Sequence, residues 1–216
     1  MRSEAGIAHG AGVVAVASPV ASVLERRLNE AIAKRAKSDV LGIVSFGTAG
    51  SLWRYYQPGQ WLVAAKLLDP NGAALVPDAN WTMALISAIP GAQPTTLIGV
   101  DSAVRTPAAK RALNEATGAN AVDMESHVVA RVAMAHGLPF AVARVVLDPF
   151  DTWVPDAAMA GLLEDGSTRA MPVLQALMHA PRDIVPLAKL AWNARTAHRS
   201  LRVGRKAIGV RMSFPE

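Results

Sequence analysis

The sequence predicts a single three-layer α/β domain, in which a mixed or parallel sheet is covered by helices on both faces. Short apolar runs typical of buried strands alternate along the chain with longer segments of helical periodicity. The composition, 51% hydrophobic and 18% charged over 216 residues, supports one substantial core. We therefore expect residues 1–216 to form one domain, in which residues 184–216 are a basic helix and tail.

The composition excludes several classes of protein. The chain has no cysteine, so disulfides, thiolate catalysis and cysteine-ligated metals are excluded. It shows neither an uncharged apolar run long enough for a membrane span nor the apolar core of a signal peptide. A cytoplasmic protein is the expectation. A dinucleotide-dependent dehydrogenase is rejected, because no GxGxxG lies between a strand and a helix.

The chain begins with a polar, glycine-rich segment that predicts no regular element. Residues 13–18 (VVAVAS) are predicted to be a strand. Ser18-Pro19 then begins a helix that runs to about Lys37, with an inward face of Leu24, Leu28 and Ile32.

A second buried strand is predicted at residues 41–46 (LGIVSF), and small residues follow it at 47–51 (GTAGS). We interpret residues 47–51 as a loop whose backbone N–H groups can approach an anion or a sugar, with Thr48 and Ser51 adding hydroxyl groups. An ordinary tight turn is the alternative.

The middle of the chain continues the alternation of strands and helices. The predicted elements are a strand at 60–68, a turn at 69–72, a hairpin strand at 73–76, a helix at 80–89, a strand at 95–100 and a helix at 107–117. Thr106-Pro107 supplies an N-cap residue and a first-turn proline for the last of these.

The segment 120–151 predicts strand, helix and strand, with acidic residues at the junctions. The helix begins at Glu125, and Gly137 and Pro139 end it. The second strand, residues 140–147, runs into Asp148. Since open α/β sheets bind ligands at the carboxyl ends of their strands, we expect Glu125 and Asp148 to face one cleft.

These residue types fit the cleavage of a nucleoside. Glu125 can accept two parallel hydrogen bonds from the vicinal hydroxyls of a ribose. Met124 would supply an apolar face to the sugar, although core packing is its alternative function. Partial burial would raise the pKa of Asp148 and let it protonate a departing purine. A turn cap before Pro149 is the alternative for Asp148.

The C-terminal part predicts helices that begin at Pro155-Asp156, at Ser167-Thr168 and at Asp183, the last ending near Ala197. Residues 184–215 contain seven Lys/Arg and no acidic residue. Such a patch suits an anionic membrane, and a solvated helix is the alternative. A nucleic acid is not the expected partner, since Trp192 is the lone aromatic side chain of the helix and no known module is present.

Three motifs together resemble the nucleoside phosphorylase and nucleosidase superfamily, which includes purine and uridine phosphorylases. The motifs are VDMES at 122–126, RVVLD at 144–148 and FGTAGSL at 46–52. The resemblance implies a three-layer sandwich with a partly closed mixed sheet. It also implies that Met124 and Glu125 hold the ribose, that Asp148 protonates the purine at N7, and that Gly47 and Thr48 lie by the nucleophile.

More narrowly, the chain resembles the hopanoid-associated phosphorylases. The similarity lies in VDMESH at 122–127, Pro149, residues 99–101, Lys110-Arg111 and LEDGSTRAMPVL at 163–174. It implies release of adenine from adenosylhopane, without a cofactor or a metal and with inorganic phosphate as a candidate co-substrate. It implies further that the protein is a homo-oligomer and that a lipid-linked nucleoside brings it to the inner membrane.

The chain departs from this family at three points. No strand precedes residue 13, so either the true start of the chain lies upstream of residue 1 or the first strand is absent, in which case the sheet would lack a member. SEAGIA at 3–8 is interpreted as the remnant of a loop that carries Glu4, the residue that orients the nucleophile. Asp151 stands three residues after Asp148, and the two carboxylates are able to exchange functions. Candidate phosphate ligands are Arg105, Lys110 and Arg144. Phosphorolysis and hydrolysis both stay open.

Two other functions stay beside this one. The first is a nucleosidase for soluble purine nucleosides of the methylthioadenosine type, for which we expect a pocket closed by aromatic side chains. An open apolar channel would instead indicate the lipid substrate. The second is a non-catalytic, membrane-associated relative, which the lack of a first strand favours and the presence of Glu125 and Asp148 opposes.

Overall fold

Six strands form one mixed sheet in the computed structural model, which describes residues 2–156, 158, 175 and 180–215. The strands are β1 (Ile43–Ser51), β2 (Trp61–Leu68), β3 (Ala74–Leu75), β4 (Gln93–Gly99), β5 (Ala121–Asp123) and β6 (Phe140–Asp148). The helices of the described residues are α1 (Arg2–Ala8), α2 (Ala21–Ala33), α3 (Ala79–Ala88), α4 (Pro107–Thr117), α5 (Ser126–Ala135) and α6 (Ile184–Ala207), with short 3₁₀ turns at Lys37–Asp39 and Pro181–Asp183.

The sheet closes on itself. Its strand order is β3-β2-β4-β5-β1-β6, and β6 also pairs with β2 in antiparallel fashion, with Trp61 opposite Val145. Strands β1 and β6 are parallel, as are β4 and β5, whereas β1 and β5 are antiparallel. Five strands therefore form a barrel-like ring to which β3 is added as an edge. The predicted mixed and partly closed sheet is confirmed.

Helices cover both faces of this sheet. Alternate residues of β6 point to opposite sides and therefore join different core clusters. Ala143 and Val145 belong to the apolar cluster that includes residues of α3 and α6. Val142 and Val146 belong instead to the cluster that includes Ala130 on α5. A strand with core on both faces has to be apolar throughout, which explains why the run before Asp148 is interrupted by Arg144 alone.

Most of the predicted elements are confirmed with small shifts of their ends. The hairpin of β2 and β3 forms, with Leu68 opposite Ala74. Helix α4 begins as predicted, since the Thr106 hydroxyl accepts a hydrogen bond from the Ala109 N–H at 3.1 Å and Pro107 occupies the first turn. Helix α5 is followed by Gly137 with φ of 65°, the conformation in which glycine ends a helix.

The predicted strand at residues 13–18 is wrong. This segment has one isolated bridge, between Gly10 and Val13, and is otherwise without strand pairing. Val13 and Val16 pack against the core, so the apolar pattern was a correct sign of burial but not of a hydrogen-bonded neighbour. A cavity of about 290 Å³ lies between this segment and β1.

The predicted loop at residues 47–51 is wrong as well, since these residues continue β1. Their small side chains allow charged groups to approach the strand. A Cβ atom on Gly47 would lie 2.7 Å from Nη1 of Arg144, and one on Gly50 would lie 3.0 Å from Oδ2 of Asp148. The small residues that suggested a turn are therefore needed because the side chains of Arg144 and Asp148 pack against the strand.

The N-terminal elements also differ from the prediction. Residues 3–8, interpreted as part of a loop, lie in helix α1, whose last residue, Ala8, accepts a hydrogen bond from Nε of Arg205 at 2.8 Å. Helix α2 begins at Ala21 rather than at Pro19. The Ser18 hydroxyl accepts from the Val20 N–H at 3.2 Å and so stabilises the turn before the helix.

Helix α6 is ten residues longer than predicted, ending at Ala207 rather than Ala197. Its second half is held by packing, since Leu201 is fully buried and Gly204 lies against the indole of Trp61. Over the described part of the chain, no helix has the length and apolar character of a membrane span. The motif at 163–174 and the helix predicted from Ser167-Thr168 lie outside the described residues, as does most of the helix predicted from Pro155-Asp156.

Candidate active site

The carboxyl end of β6 places Asp148 beside a buried lysine. Nζ of Lys110, on α4, lies 2.5 Å from Oδ2 of Asp148, and the Lys110 side chain is fully buried. Burial raises the pKa of Asp148, while the charge and hydrogen bond of Lys110 lower it; the net direction is upward. Asp148 is therefore more readily protonated than an exposed aspartate.

Asp123 at the end of β5 organises the turn into α5. Its Oδ1 accepts hydrogen bonds from the N–H of Glu125 at 3.1 Å and of Ser126 at 2.9 Å, and its Oδ2 accepts from the Ser126 hydroxyl. These bonds satisfy N–H groups that the start of a helix leaves unpaired. The turn fixes the positions of Met124 and Glu125, which themselves lie before the first residue of α5.

Arg144 forms ion pairs with two acidic residues of this turn. Its Nε lies 2.7 Å from Oδ2 of Asp123, and its Nη2 lies 3.3 Å from Oε2 of Glu125. Nη2 also donates to the Ser45 hydroxyl at 2.6 Å. Burial alone would lower the pKa of Arg144, but the carboxylates of Asp123, Glu125 and Glu4 raise it, so the guanidinium stays charged.

The pKa of Glu125 is strongly shifted. Burial raises its pKa to about 7; Arg144 opposes the rise, whereas the neighbouring Asp123 and Glu4 add to it. The Glu125 side chain is 27% exposed and so remains accessible to a ligand. Near neutral pH it can therefore either accept two hydrogen bonds or donate one.

Glu4 and Thr48 form a second pair close to Arg144, whose Nη1 lies 3.5 Å from the carbonyl oxygen of Thr48. Oε1 of Glu4 accepts from the Thr48 N–H at 3.1 Å and from its hydroxyl at 2.6 Å. Burial favours the neutral form of Glu4, but the positive charge of the N-terminal amino group, then the hydrogen bond from Thr48 and the charge of Arg144, give a net lowering of its pKa. Glu4 is thus a buried, ionised carboxylate that is hydrogen-bonded to Thr48 of β1.

One cavity of about 370 Å³ brings these groups together. Its wall contains Glu4, Thr48, Met124, Glu125 and Asp148, which come from four separate segments of the chain. The volume lies within the usual range for small-molecule sites. Five of the seven predicted site residues therefore line one cavity.

The other two predicted residues lie elsewhere. Gly47 stands behind the cavity wall, where Arg144 and Glu4 pack on it. Asp151 is exposed in the turn after β6 and does not line the cavity. The structure therefore brings Asp148, and not Asp151, to the cavity.

The candidate phosphate ligands are engaged by the protein. Lys110 binds Asp148, Arg144 binds Asp123 and Glu125, and Arg105 forms an exposed ion pair with Asp156.

Most of the remaining wall is aliphatic. One side is formed by α6, with Leu187, Leu190, Ala191 and Ala194, and the other by Val100, Val104 and Val154. Aromatic side chains are not found among the described residues of this wall.

Sequence reasoning missed three parts of the site. It did not assign a function to Asp123, although that residue stands inside the VDMES motif at a strand end, where a helix cap is expected. It placed Lys110 among the candidate phosphate ligands and did not predict its contact with Asp148, because nothing local in α4 indicates burial. The contribution of α6 to the wall was also missed, since only tertiary packing brings this helix to the strand ends.

His127, which follows the motif, has a structural position. Its ring is fully buried, and Nε2 lies 3.2 Å from Oδ1 of Asp101, a residue that is itself exposed. It does not line the cavity.

Comparison with known families gives one match: the sequence model of the Phosphorylase superfamily aligns with residues 2–180. A search of curated protein sequences gives no match. Among the described residues, the matched range contains the whole cavity wall except the part contributed by α6.

Solved structures show the same fold. A methylthioadenosine/S-adenosylhomocysteine nucleosidase from Campylobacter jejuni is similar with a TM-score of 0.60 and 14% identity, over 89% of this chain and 76% of that one. The Helicobacter pylori nucleosidase of the same type, in complex with butyl-thio-DADMe-Immucillin-A, gives 0.56 and 18% over 83% and 73%. A futalosine hydrolase mutant from Helicobacter pylori gives 0.53 and 19% over 60% and 66%. The chain thus spans about two thirds to three quarters of these proteins, and at such identities the likeness establishes the fold.

Proposed function

The chain belongs to the phosphorylase superfamily, and from this premise we propose that it is an enzyme that hydrolyses the N-glycosidic bond of a purine nucleoside, namely adenosylhopane. The observation that carries the proposal is the single cavity whose wall unites Glu4, Thr48, Met124, Glu125 and Asp148. Two carboxyl groups with opposite pKa shifts face it, as an acid and base pair requires.

In the proposed reaction Asp148 donates a proton to the purine ring as the bond between C1′ and the base nitrogen breaks. The electron pair of that bond leaves with the base, which departs as a neutral molecule. A water molecule held by Glu4 and Thr48 adds to C1′ and gives its proton to Glu4. The raised pKa of Asp148 suits the acid, and the lowered pKa of Glu4 keeps its carboxylate ionised and so able to accept a proton.

The charge of the wall supports water over phosphate as the nucleophile. Its described residues include the four carboxyl groups of Glu4, Asp123, Glu125 and Asp148 but no lysine or arginine. A phosphate dianion in this cavity would lie near the ionised carboxylate of Glu4 without a cationic ligand in the described wall. Water carries no such penalty.

Ribose binding is assigned to Met124 and Glu125. The carboxylate of Glu125 is held by Nη2 of Arg144 on one oxygen, so it can accept hydroxyl groups of the sugar without turning. Negative charge beside the sugar also stabilises the positive charge that develops at C1′.

The aliphatic wall supports a substrate with a large apolar substituent. Side chains such as Leu187 and Leu190 offer a soluble nucleoside no hydrogen bonds, but they can pack against a hydrocarbon. The aromatic closure expected for a small soluble nucleoside is not seen among the described residues. This contrast favours adenosylhopane as the substrate within the proposed reaction.

A membrane-bound substrate requires a surface that can reach the membrane, and α6 offers one. Val185 and Trp192 are 76% and 70% exposed, and with Lys189 they lie at spacings of four and seven residues, which places them on one helix face. Leu187 and Leu190 face the cavity from the other side of the same helix. We propose that the exposed face rests on an anionic membrane.

Vesicle co-sedimentation tests this contact. The protein should bind vesicles that contain anionic lipid, and a variant with Trp192→Ala and Lys189→Glu should bind several times more weakly. Met83→Ala, which removes an exposed apolar side chain from α3, is the matched control. Equal binding by all three proteins would refute the membrane contact while leaving the cleavage reaction untouched.

Release of adenine tests the reaction itself. Adenosylhopane and soluble adenine nucleosides are each supplied with and without inorganic phosphate. Release from adenosylhopane at a rate independent of phosphate is the expected result. Faster release from soluble nucleosides would instead assign a salvage-type nucleosidase, and a strict need for phosphate would refute hydrolysis.

A further inference from the structure

Lys110 is the buried cation that the proposed reaction does not use. Its Nζ lies 2.5 Å from Oδ2 of Asp148, and it donates hydrogen bonds to the carbonyl oxygens of Pro149 at 2.6 Å and Thr152 at 3.3 Å. The carbonyl of Asp148 lies at 3.5 Å. An ammonium group has three N–H donors, and four acceptor oxygens lie within 3.5 Å of this one.

These contacts tie α4 to the chain that leaves β6. The acceptors on Asp148, Pro149 and Thr152 span the first five residues from the end of the strand, so one ammonium group fixes the whole turn. A buried lysine is costly to fold compared with an apolar side chain of the same length. The position of this lysine beside Asp148 therefore indicates a function beyond packing.

The contacts also determine which oxygen of Asp148 is engaged. Lys110 binds Oδ2, and Gly50 of β1 lies behind the carboxyl group, close enough that a Cβ there would approach both oxygens. The carboxyl group is held from two sides, and Oδ1 is the oxygen that Lys110 leaves for a ligand. Such restraint is what a proton donor needs, because proton transfer depends on short, aligned hydrogen bonds.

We propose that Lys110 is a positioning residue of the site: it holds the Asp148 carboxyl and the turn 148–152 in the geometry from which a proton reaches the substrate. The inference rests on the proposed function, in which Asp148 is the acid. Lys110 itself does not line the cavity and does not touch the substrate.

Lys110 should also set the pH range in which Asp148 is active. Burial raises the pKa of Asp148, and Lys110 is the ionisable side chain near it that lowers the pKa; the other lowering contact comes from the backbone of Asp148 itself. Removing the positive charge should raise this pKa further, by about one to three pH units. Activity that needs protonated Asp148 is lost as the pH rises through its pKa, so the alkaline limb should move to higher pH.

The test compares Lys110→Met, which keeps the length of the side chain but not its charge, with Lys66→Met, the same change at an exposed position of β2. Titration of the Asp148 carboxyl is followed without substrate by carbon-13 NMR, with Asp148→Asn identifying its signal. The pH profile of turnover is measured in parallel. Lys110→Met should shift the titration midpoint and the alkaline limb upward together and lower kcat more than it raises KM, whereas Lys66→Met should change neither.

A chemical variant covers the case in which Lys110→Met does not fold. Because the chain has no cysteine, Lys110→Cys introduces a single thiol, which can be alkylated with bromoethylamine in denaturant and refolded to give a side chain nearly identical to lysine. Alkylation should restore kcat and the position of the alkaline limb, and alkylation with iodoacetamide should not.

An Asp148 titration midpoint that is the same in Lys110→Met and in the unmodified protein would overturn the inference, even if turnover falls. This outcome is distinct from failure of the proposed function. If the unmodified protein cleaves no nucleoside, the proposed function fails, while the shift of the substrate-free titration still reports on the contact between Lys110 and Asp148.

Discussion

Glu125 gives a prediction that needs no substrate. Its pKa in the folded protein is about 7, against an ordinary value of 4.5, because burial and the neighbouring carboxylates oppose its ionisation. A difference of this size corresponds to about 3 kcal/mol between the protonated and ionised forms. The neutral side chain of glutamine, which has nearly the same shape, avoids this cost.

The direction follows from linkage. The folded-state pKa is raised, so the contribution of neutral Glu125 is fully present below about pH 4.5 and is lost as the pH rises through about 7. Relative to the unmodified protein, Glu125→Gln should therefore gain up to about 3 kcal/mol of unfolding free energy between pH 4.5 and pH 8.

Urea denaturation of both proteins across this pH range measures the difference, in which the titrations of groups far from Glu125 cancel. Glu115→Gln on α4, an exposed glutamate, controls for the chemical change. A stability difference between Glu125→Gln and the unmodified protein that does not change with pH would refute the described electrostatics of the site.

Two further predictions concern the packing behind the site. Arg144→Met should lower the unfolding free energy by about 3–5 kcal/mol in thermal or urea denaturation, because it leaves the buried carboxylate of Asp123 unpaired; a loss below 1 kcal/mol would contradict the ion pair. Gly50→Ala places a Cβ 3.0 Å from Oδ2 of Asp148 and should reduce kcat by roughly a hundredfold in a nucleoside-cleavage assay with unchanged thermal stability, whereas an unchanged kcat would show that the position of Asp148 is not critical.

Much of the fold could be predicted because buried segments are recognisable from their apolar residues. The strands at 60–68 and 140–147 are apolar on both faces, and the structure places core on both sides of them. Thr106-Pro107 predicts the start of α4 from local chemistry alone. The motif resemblance to the nucleoside phosphorylase and nucleosidase superfamily is confirmed, as is the closed mixed sheet.

The errors arose where tertiary contacts decide local structure. Residues 13–18 carry a strand pattern but, apart from the bridge between Gly10 and Val13, form no strand pairing. Residues 47–51 carry a turn composition, yet they continue β1, since their small size is needed by Arg144 and Asp148. Helix α6 continues past Ala197 because Leu201 packs in the core, and nothing in the local sequence predicts that burial.

The candidate site was predictable in its acids but not in the groups that hold them. Met124, Glu125 and Asp148 stand in motifs, and Glu4 and Thr48 follow from the resemblance; the structure places all five in one wall. Their functions in catalysis stay predictions, as do the oligomeric state and the nature of the substrate. The contact of Lys110 with Asp148 could not be predicted, because 38 residues separate the two in the chain.

Adenine release from adenosylhopane by the unmodified protein and by Asp148→Asn tests the central claim most directly. We expect phosphate-independent release by the unmodified protein and a loss of kcat of about 10²–10⁴-fold in Asp148→Asn with little change in KM. Glu125→Gln, measured beside it, should impair both kcat and KM. Small and equal losses in the two variants, or no release from any nucleoside by a folded unmodified protein, would contradict the assignment of this cavity as the site of N-glycosidic cleavage.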